Sequence, residues 1–405
     1  MSTNSYITQQ SLKSSKSKGL TASEMKEWIF AFLLFLISGP YFVWERMYIY
    51  YFAQILFFSL SLRYLNFNKD DFAIPLCLLF LNLYFIFKMT SSSGIPNLNG
   101  IAFVFLRTFS LIPFFFLNKN LWSKIFEKYI LIFSITLIPS IIQFLLVTYL
   151  NINFPQNIIV ECPLNPNRSY DQFWFYVKLP QNLYSMIDFP RFFAYYDEPG
   201  VLGNIAMVLL YVEGYNLKRW YNVPIFIAGI LSFSLLFYVA TLIYILLFSS
   251  LKNKIVVIVL VALLITYAYN NEILYNYVFK RFEIVDGEWT GDNRENYNFK
   301  YWFSQVNLED YFFMGYPLGK KVIYAATYKW AMVLFGVIPC LLYISLLIVR
   351  ASKKIGLRKE FVVYLLIPLM IWFQRPFVHI PLYVFLMVVP VYSLINNLKK
   401  NIYLR

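Results

Sequence analysis

Residues 222–250 read NVPIFIAGILSFSLLFYVATLIYILLFSS. The run is too long for one ordinary membrane span of about 17–25 residues and short for two. Its flanks resolve the ambiguity. Lys218 and Arg219 precede it in 215–221, and Lys252 and Lys254 follow it in 251–254. Short loops rich in Lys and Arg face the cytoplasm. Both flanks therefore belong on one side, and the run crosses an even number of times. We expect two short, broken spans, or a re-entrant pair, meeting near residues 232–234. Irregular backbone at membrane depth survives only where protein or a water-filled cavity covers it, so this hairpin is expected to wall a cavity.

The rest of the chain agrees with a membrane setting. Of its 405 residues, 60% are hydrophobic, 21% aromatic and only 14% charged. Soluble proteins carry about 25% charged residues. So few charges cannot cover a globular surface, which excludes a soluble enzyme, a disordered protein and a free nucleic-acid binder. The expectation is an all-α polytopic membrane protein. The net charge of +14 reads as cytoplasmic loops, not as a site for nucleic acid. Apolar runs fall at about 28–44, 47–62, 72–87, 100–117, 129–150, 199–216, 255–270, 330–349, 361–377 and 380–397. With the hairpin counted twice they make about twelve spans with both termini inside. Loops 63–71, 118–128 and 350–359 then join 215–221 and 251–254 on the cytoplasmic side.

This divides the chain into a cytoplasmic tail (1–27), helices 1–5 (28–150), an outer loop (151–197), helices 6–9 (198–270), a larger outer loop (271–329), helices 10–12 (330–397) and a second tail (398–405). The Lys-rich start resembles a signal-peptide head, but no small-residue cleavage site follows 28–44, so a retained tail is expected. Cys77 and Cys340 lie in apolar runs and only Cys162 in a polar loop, so no disulfide framework is expected. The single His379 cannot build a zinc site alone.

Three groups of residues can carry chemistry. RFFAYYDEPG, 191–200, closes the first outer loop ahead of an apolar span, with Asn204 one turn further on. One reading is local: Asp197 caps the helix, Glu198 favours its positive end, and Pro199 suits its first turn. The other is a general base beside a phosphate-binding Arg191. The second outer loop holds Arg281, Arg294, Lys320 and Lys321. Residues 271–328 carry eight acids and six bases, so the loop is not simply a basic patch. Arg forks suit phosphate, and aromatics at 289, 297, 301, 302, 311 and 316 could stack on sugars. A solvated loop with surface ion pairs is the alternative. Arg107 lies inside an apolar run, where a charge marks a site, snorkels or pairs with a carbonyl. Arg375 and His379 stand in the outer turn of the last hairpin, where an interfacial role also suffices. Glu213 is expected to pair locally with Lys218.

RFFAYYDEPGVLG at 191–203 resembles the motif of bacterial O-antigen and capsule polymerases of the Wzy type, in which an Arg, an aromatic stretch and a Glu-Pro pair precede a membrane helix. ILSFSLLFYVATLIYILL at 230–247 resembles the broken hairpin that follows. GDNR at 291–294, YFFMGYPLG at 311–319 and KWAMVLFGVIPCLLYI at 329–344 resemble the second periplasmic loop and exit helix. The resemblance covers about 190–350, and the N-terminal part agrees only in hydropathy. It implies a GT-C-like fold with two large periplasmic loops in the inner membrane, acting on undecaprenyl-pyrophosphate-linked glycans as donor and acceptor. A chain-length regulator and a flippase are the implied protein partners. O-antigen ligases of the same superfamily carry a His late in the second loop. The stretch 320–329 has none, which favours a polymerase over a ligase.

The implied reaction displaces a pyrophosphate from an anomeric carbon by an acceptor hydroxyl. It requires neither nucleotide nor metal, and no cofactor is expected. Negative charge gathers on the leaving group, where preorganised Arg side chains stabilise it. Arg191, Arg281 and Arg294 are assigned to the pyrophosphate, with Arg107, Lys320, Lys321, Arg375 and His379 as further substrate-binding candidates. Glu198 is the first candidate for the base and Asp197 the second. A lipid-linked oligosaccharide flippase is the competing class, since transporters also use broken helices. Two large charged outer loops are not needed for that task.

Overall fold

A computed structural model describes residues 21–67, 72–93, 98–159, 169–179, 190–272, 275, 279, 283–285, 288–289, 297–317, 322–323, 325, 327–356, 359–378 and 380–394. The chain is predominantly helical. In order the helices are α1 (Ala22–Ile37), α2 (Met47–Ser61), α3 (Ala73–Ser93), α4 (Leu98–Phe116), α5 (Lys119–Thr148), α6 (Pro199–Val212), α7 (Asn222–Leu231), α8 (Leu235–Phe248), α9 (Leu251–Asn270), α10 (Tyr297–Ser304), α11 (Tyr328–Phe335), α12 (Val337–Ile355), α13 (Lys359–Gln374) and α14 (Pro381–Val388).

The all-α expectation needs one amendment. The two long loops expected to lie outside carry two small antiparallel sheets: β1 (Asn157–Ile159), β2 (Tyr170–Gln172) and β3 (Val177–Lys178) in the first, and β4 (Ile284–Val285) with β5 (Glu288–Trp289) in the second. The first sheet docks through aromatic residues. Phe173 and Tyr176 stack at 4.7 Å, Tyr170 meets Trp44 at 5.2 Å, and the Tyr41 hydroxyl donates to the Trp174 carbonyl at 2.5 Å.

Among the described residues, α5 and α9 are each long and apolar enough to cross a membrane, and α11 with α12 would make a third such span if taken together. Several other apolar helices are shorter than an ordinary span of about 17–25 residues, among them α6, α7 and α8 with 14, 10 and 14 residues. The expected break in 222–250 is present, with α7 ending at Leu231 and α8 starting at Leu235. The run 330–349 was expected to be one span and is two helices, bent by 113° at Gly336. Gly336 has φ +101°, and a Cβ there would stand 2.8 Å from the Gly315 nitrogen. The segment 311–316 fills this bend. Tyr311 and Phe312 carbonyls accept from the Val337 and Ile338 amides at 3.2 and 3.0 Å, and the Tyr316 amide donates to the Val333 carbonyl at 2.7 Å. Two free amides at the start of α12 and one free carbonyl at the end of α11 thereby find partners.

Two expected cytoplasmic loops are also largely helical. Residues 119–128 form the start of α5, capped by the Asn118 side chain. Arg350 lies within α12, buried, donating to the Val388 carbonyl and the Tyr392 hydroxyl. A buried guanidinium must be hydrogen-bonded, and these partners hold α12 to the last helix. Glu213 pairs with Arg219 rather than with Lys218.

At the centre lies α6, with Val201 through Val212 buried on every side. It packs on α7, α8 and α13. A helix apolar all round belongs inside a larger assembly of helices.

Candidate functional site

The site is assembled at the N-terminus of α6. Glu198 is the N-cap residue, in extended backbone, with Pro199 in the first turn as expected. The cap reading of Asp197 is therefore corrected: it precedes the cap and is buried at 3% exposure. Glu198 makes no side-chain cap bond. Its carboxylate forms an ion pair with Arg375, which follows α13. The Arg375 side chain is 7% exposed and the Glu198 side chain 23%, so the pair is largely shielded but reachable from the Glu198 side. The sequence offered Arg375 as an interfacial cation or a substrate-binding candidate; the tertiary fold sets it against the Glu-Pro motif.

Arg191 lies on the other flank. Its Nε and Nη2 donate to the Ser232 and Phe233 carbonyls, each at 3.2 Å. The Phe192 amide donates to the Leu231 carbonyl at 3.0 Å. These are the carbonyls left over where α7 ends, and a cation suits that negative helix end. Phe233 takes left-handed backbone at φ +49°, which costs a non-glycine residue about 1–3 kcal/mol and clusters at functional sites. Ser232 supports the turn by donating to the Gly229 carbonyl at 2.7 Å and accepting from the Ser234 amide at 3.3 Å. Gly203 allows the hairpin to approach: a Cβ there would lie 2.3 Å from the Ser234 Cβ.

Tyr195 and Tyr196 anchor the motif from below, through the Thr136 hydroxyl at 2.9 Å and the Ser38 hydroxyl at 3.0 Å. Burial pushes both phenols well above their ordinary value of 10, so neither serves as a base near neutral pH. Asn204 is fully buried, and neither polar atom of its side chain has a hydrogen-bond partner; the same holds for Ser234 Oγ and Arg375 Nε. Buried polar atoms are normally paired, so α6 and its neighbours hold more hydrogen-bonding capacity here than the fold uses.

Of the expected site residues, Arg191, Asp197, Glu198 and Arg375 come together. Arg281, Arg294, Lys320, Lys321 and His379 lie outside the described residues, as does the side chain of Arg107 on α4. The outer aromatics divide by role. Trp302 and Tyr316 pack edge to face at 5.4 Å and Tyr311 is buried, whereas Tyr297 and Tyr301 stack at 6.4 Å with 79% and 63% exposure. One functional-looking cation was missed. Lys88, on α3, donates to the Tyr316 and Pro317 carbonyls and so ties the segment before α11 to the helices. Its signal in the sequence is a lone Lys at the end of an apolar run. Among the described residues no three His, Cys, Asp or Glu side chains gather as a metal site. No family model, curated protein or solved structure matches the chain.

Proposed function

We propose that the chain is a glycosyltransferase of the bacterial cytoplasmic membrane, built on a GT-C-like scaffold of about twelve membrane segments. It polymerises undecaprenyl-pyrophosphate-linked oligosaccharide repeat units into O-antigen or capsular polysaccharide at the outer face. The observation that carries this reading is the Glu198–Arg375 pair at the start of a buried helix, with Arg191 on the adjoining hairpin break. A carboxylate and two guanidiniums are the groups needed to move a proton and to receive a departing pyrophosphate.

Membrane placement has two supports. Helix α9 exposes Ile255, Val259 and Leu263 at 50–61%, an apolar surface that suits lipid better than water. Contacts between element ends also fall into two groups. Glu27–Lys124, the bridge from Leu65 to Leu117 and Arg350–Tyr392 form one. Tyr41–Tyr195, Lys88–Tyr316 and Glu198–Arg375 form the other. These are the groups that the Lys/Arg parity assigns to inside and outside.

In the resting protein Arg375 is engaged by Glu198. The donor's pyrophosphate competes for Arg375 as the more highly charged anion, and Glu198 is released to accept the proton of the acceptor hydroxyl. The acceptor oxygen bonds to the anomeric carbon, and the bond from that carbon to the phosphate oxygen breaks. Undecaprenyl pyrophosphate leaves with the electron pair, facing Arg375. The exposed Tyr297–Tyr301 stack offers a surface for sugar rings. Tyr and Trp faces suit such apolar contact with a polar rim.

Purified protein in bilayers, supplied with an undecaprenyl-pyrophosphate repeat unit, tests the reading. Longer lipid-linked glycans are expected. Glu198→Gln is expected to lower the elongation rate about 10²-fold or more while donor binding persists. Movement of the lipid between leaflets without elongation would overturn the assignment.

A further inference from the structure

A second site lies at the far end of α1 from Glu198. Helix α1 reaches Ser38, beside Tyr196, from a start about 24 Å away at 1.5 Å per residue. At that start, α1, the turn after α2 and the beginning of α5 line an open surface cleft of about 540 Å³, a volume within the range of small-ligand sites. Lys26, Arg63 and Lys124 line it. Lys124 is offset by the buried Glu27, Nζ to Oε1 3.0 Å. The Lys26 ammonium sits 4.2 Å from the Tyr64 ring centroid, and Arg63 is exposed. Among the described residues neither is paired with a carboxylate. The positive end of α5 adds to the same field, with its Asn118 cap on the cleft wall. Met25 and Leu62, the neighbours of Lys26 and Arg63 in the chain, each expose 53% of their surface and offer apolar contact for acyl chains.

We propose that this cleft binds a phosphate group, supplied by the headgroup of an anionic phospholipid of the inner leaflet. Basic pockets between helices on the cytoplasmic side favour such headgroups. The inference rests on the membrane placement proposed above and not on glycosyl transfer.

The test uses the full chain in nanodiscs of phosphatidylcholine, of phosphatidylcholine with phosphatidylglycerol, and of phosphatidylcholine with added inorganic phosphate. Acylation of Lys26, read by mass spectrometry, is expected to fall several-fold only with phosphatidylglycerol. Protection by inorganic phosphate alone would assign the cleft to free phosphate and overturn the lipid source. Equal labelling under all three conditions would overturn the site, and failure of the chain to enter nanodiscs would overturn the membrane placement itself. The variant Lys26→Gln/Arg63→Gln leaves the Glu27–Lys124 pair in place and is expected to melt with the wild type. Its retention of phosphatidylglycerol should drop about 25-fold, at about fivefold per basic residue. Unchanged retention in a folded variant would equally overturn the proposal.

Discussion

Arg375 occupies the position on which the residue-scale chemistry turns, because its guanidinium meets Glu198 while its backbone closes α13. Arg375→Lys keeps the charge and loses the planar fork that matches carboxylate and phosphate. We expect the donor KM to rise about 10- to 150-fold, one lost hydrogen bond to a charged group being worth about 1.5–3 kcal/mol, with a near wild-type melting temperature. Donor titration of the elongation rate reads this directly, and an unchanged KM would confine Arg375 to a structural role. A second prediction at this scale concerns Glu24, outside the membrane-spanning runs. It forms a capping box with Thr21, whose amide and hydroxyl both donate to Oε2 at 2.9 Å. The Thr21 amide, then its hydroxyl, and more weakly Lys128 and Lys124 hold the carboxyl below its ordinary value of 4.5. The unfolded chain therefore takes up the proton first. The contribution of Glu24 is complete above pH 4.5 and is lost as pH falls through the lower folded value. Hydrogen exchange of the Thr21 amide should accelerate relative to its intrinsic rate over that acid range in the wild type, and Glu24→Gln should abolish the step.

At the scale of elements, the hairpin of α7 and α8 depends on how closely it approaches α6. Gly203 meets the Ser234 Cβ, an atom fixed to the backbone and unable to swing away. Gly203→Ala is expected to cost about 1–3 kcal/mol, the usual range for overpacking. Ser234→Gly removes the opposing Cβ and should restore much of the loss in the double variant, so that the two changes are not additive. Melting temperatures of the four proteins in detergent measure the coupling. Full additivity would mean that the two segments are further apart. The same close approach explains why Arg191 is spent on carbonyls: without a cation, the end of α7 would leave buried acceptors uncovered. Arg191 therefore holds the break in place, a role that the motif by itself does not reveal.

For the whole molecule, the even crossing proposed for 222–250 would put both of its ends on one side of the membrane. Lys252→Cys, with Cys77, Cys162 and Cys340 replaced, should resist an impermeant thiol reagent in intact cells and react after the membrane is opened. Ready labelling in intact cells would reverse the placement of α9 and of every element after it.

The amino-acid sequence alone was sufficient for the apolar, helical character of the chain, for the interruption at 232–234 and for Pro199 opening a helix behind Glu198. Each of these rests on composition, or on residues within a turn of one another, where steric and hydrogen-bonding preferences act locally. The bend at Gly336 had a local signal too, a glycine inside an apolar run, but its meaning depended on the segment 311–316 entering the bend. Hydropathy counted 119–128 and Arg350 as loop because it registers charge, and neither the apolar face of Leu121, Trp122, Ile125 and Phe126 nor the partners of the buried Arg350. Only the tertiary structure chose Arg375 as the partner of Glu198, Lys88 as the partner of the Tyr316 and Pro317 carbonyls, and Tyr170, Phe173 and Tyr176 as the buried packing of the first sheet. These choices join segments far apart in the chain, and no periodicity along one segment specifies which distant side chain will neutralise a buried charge.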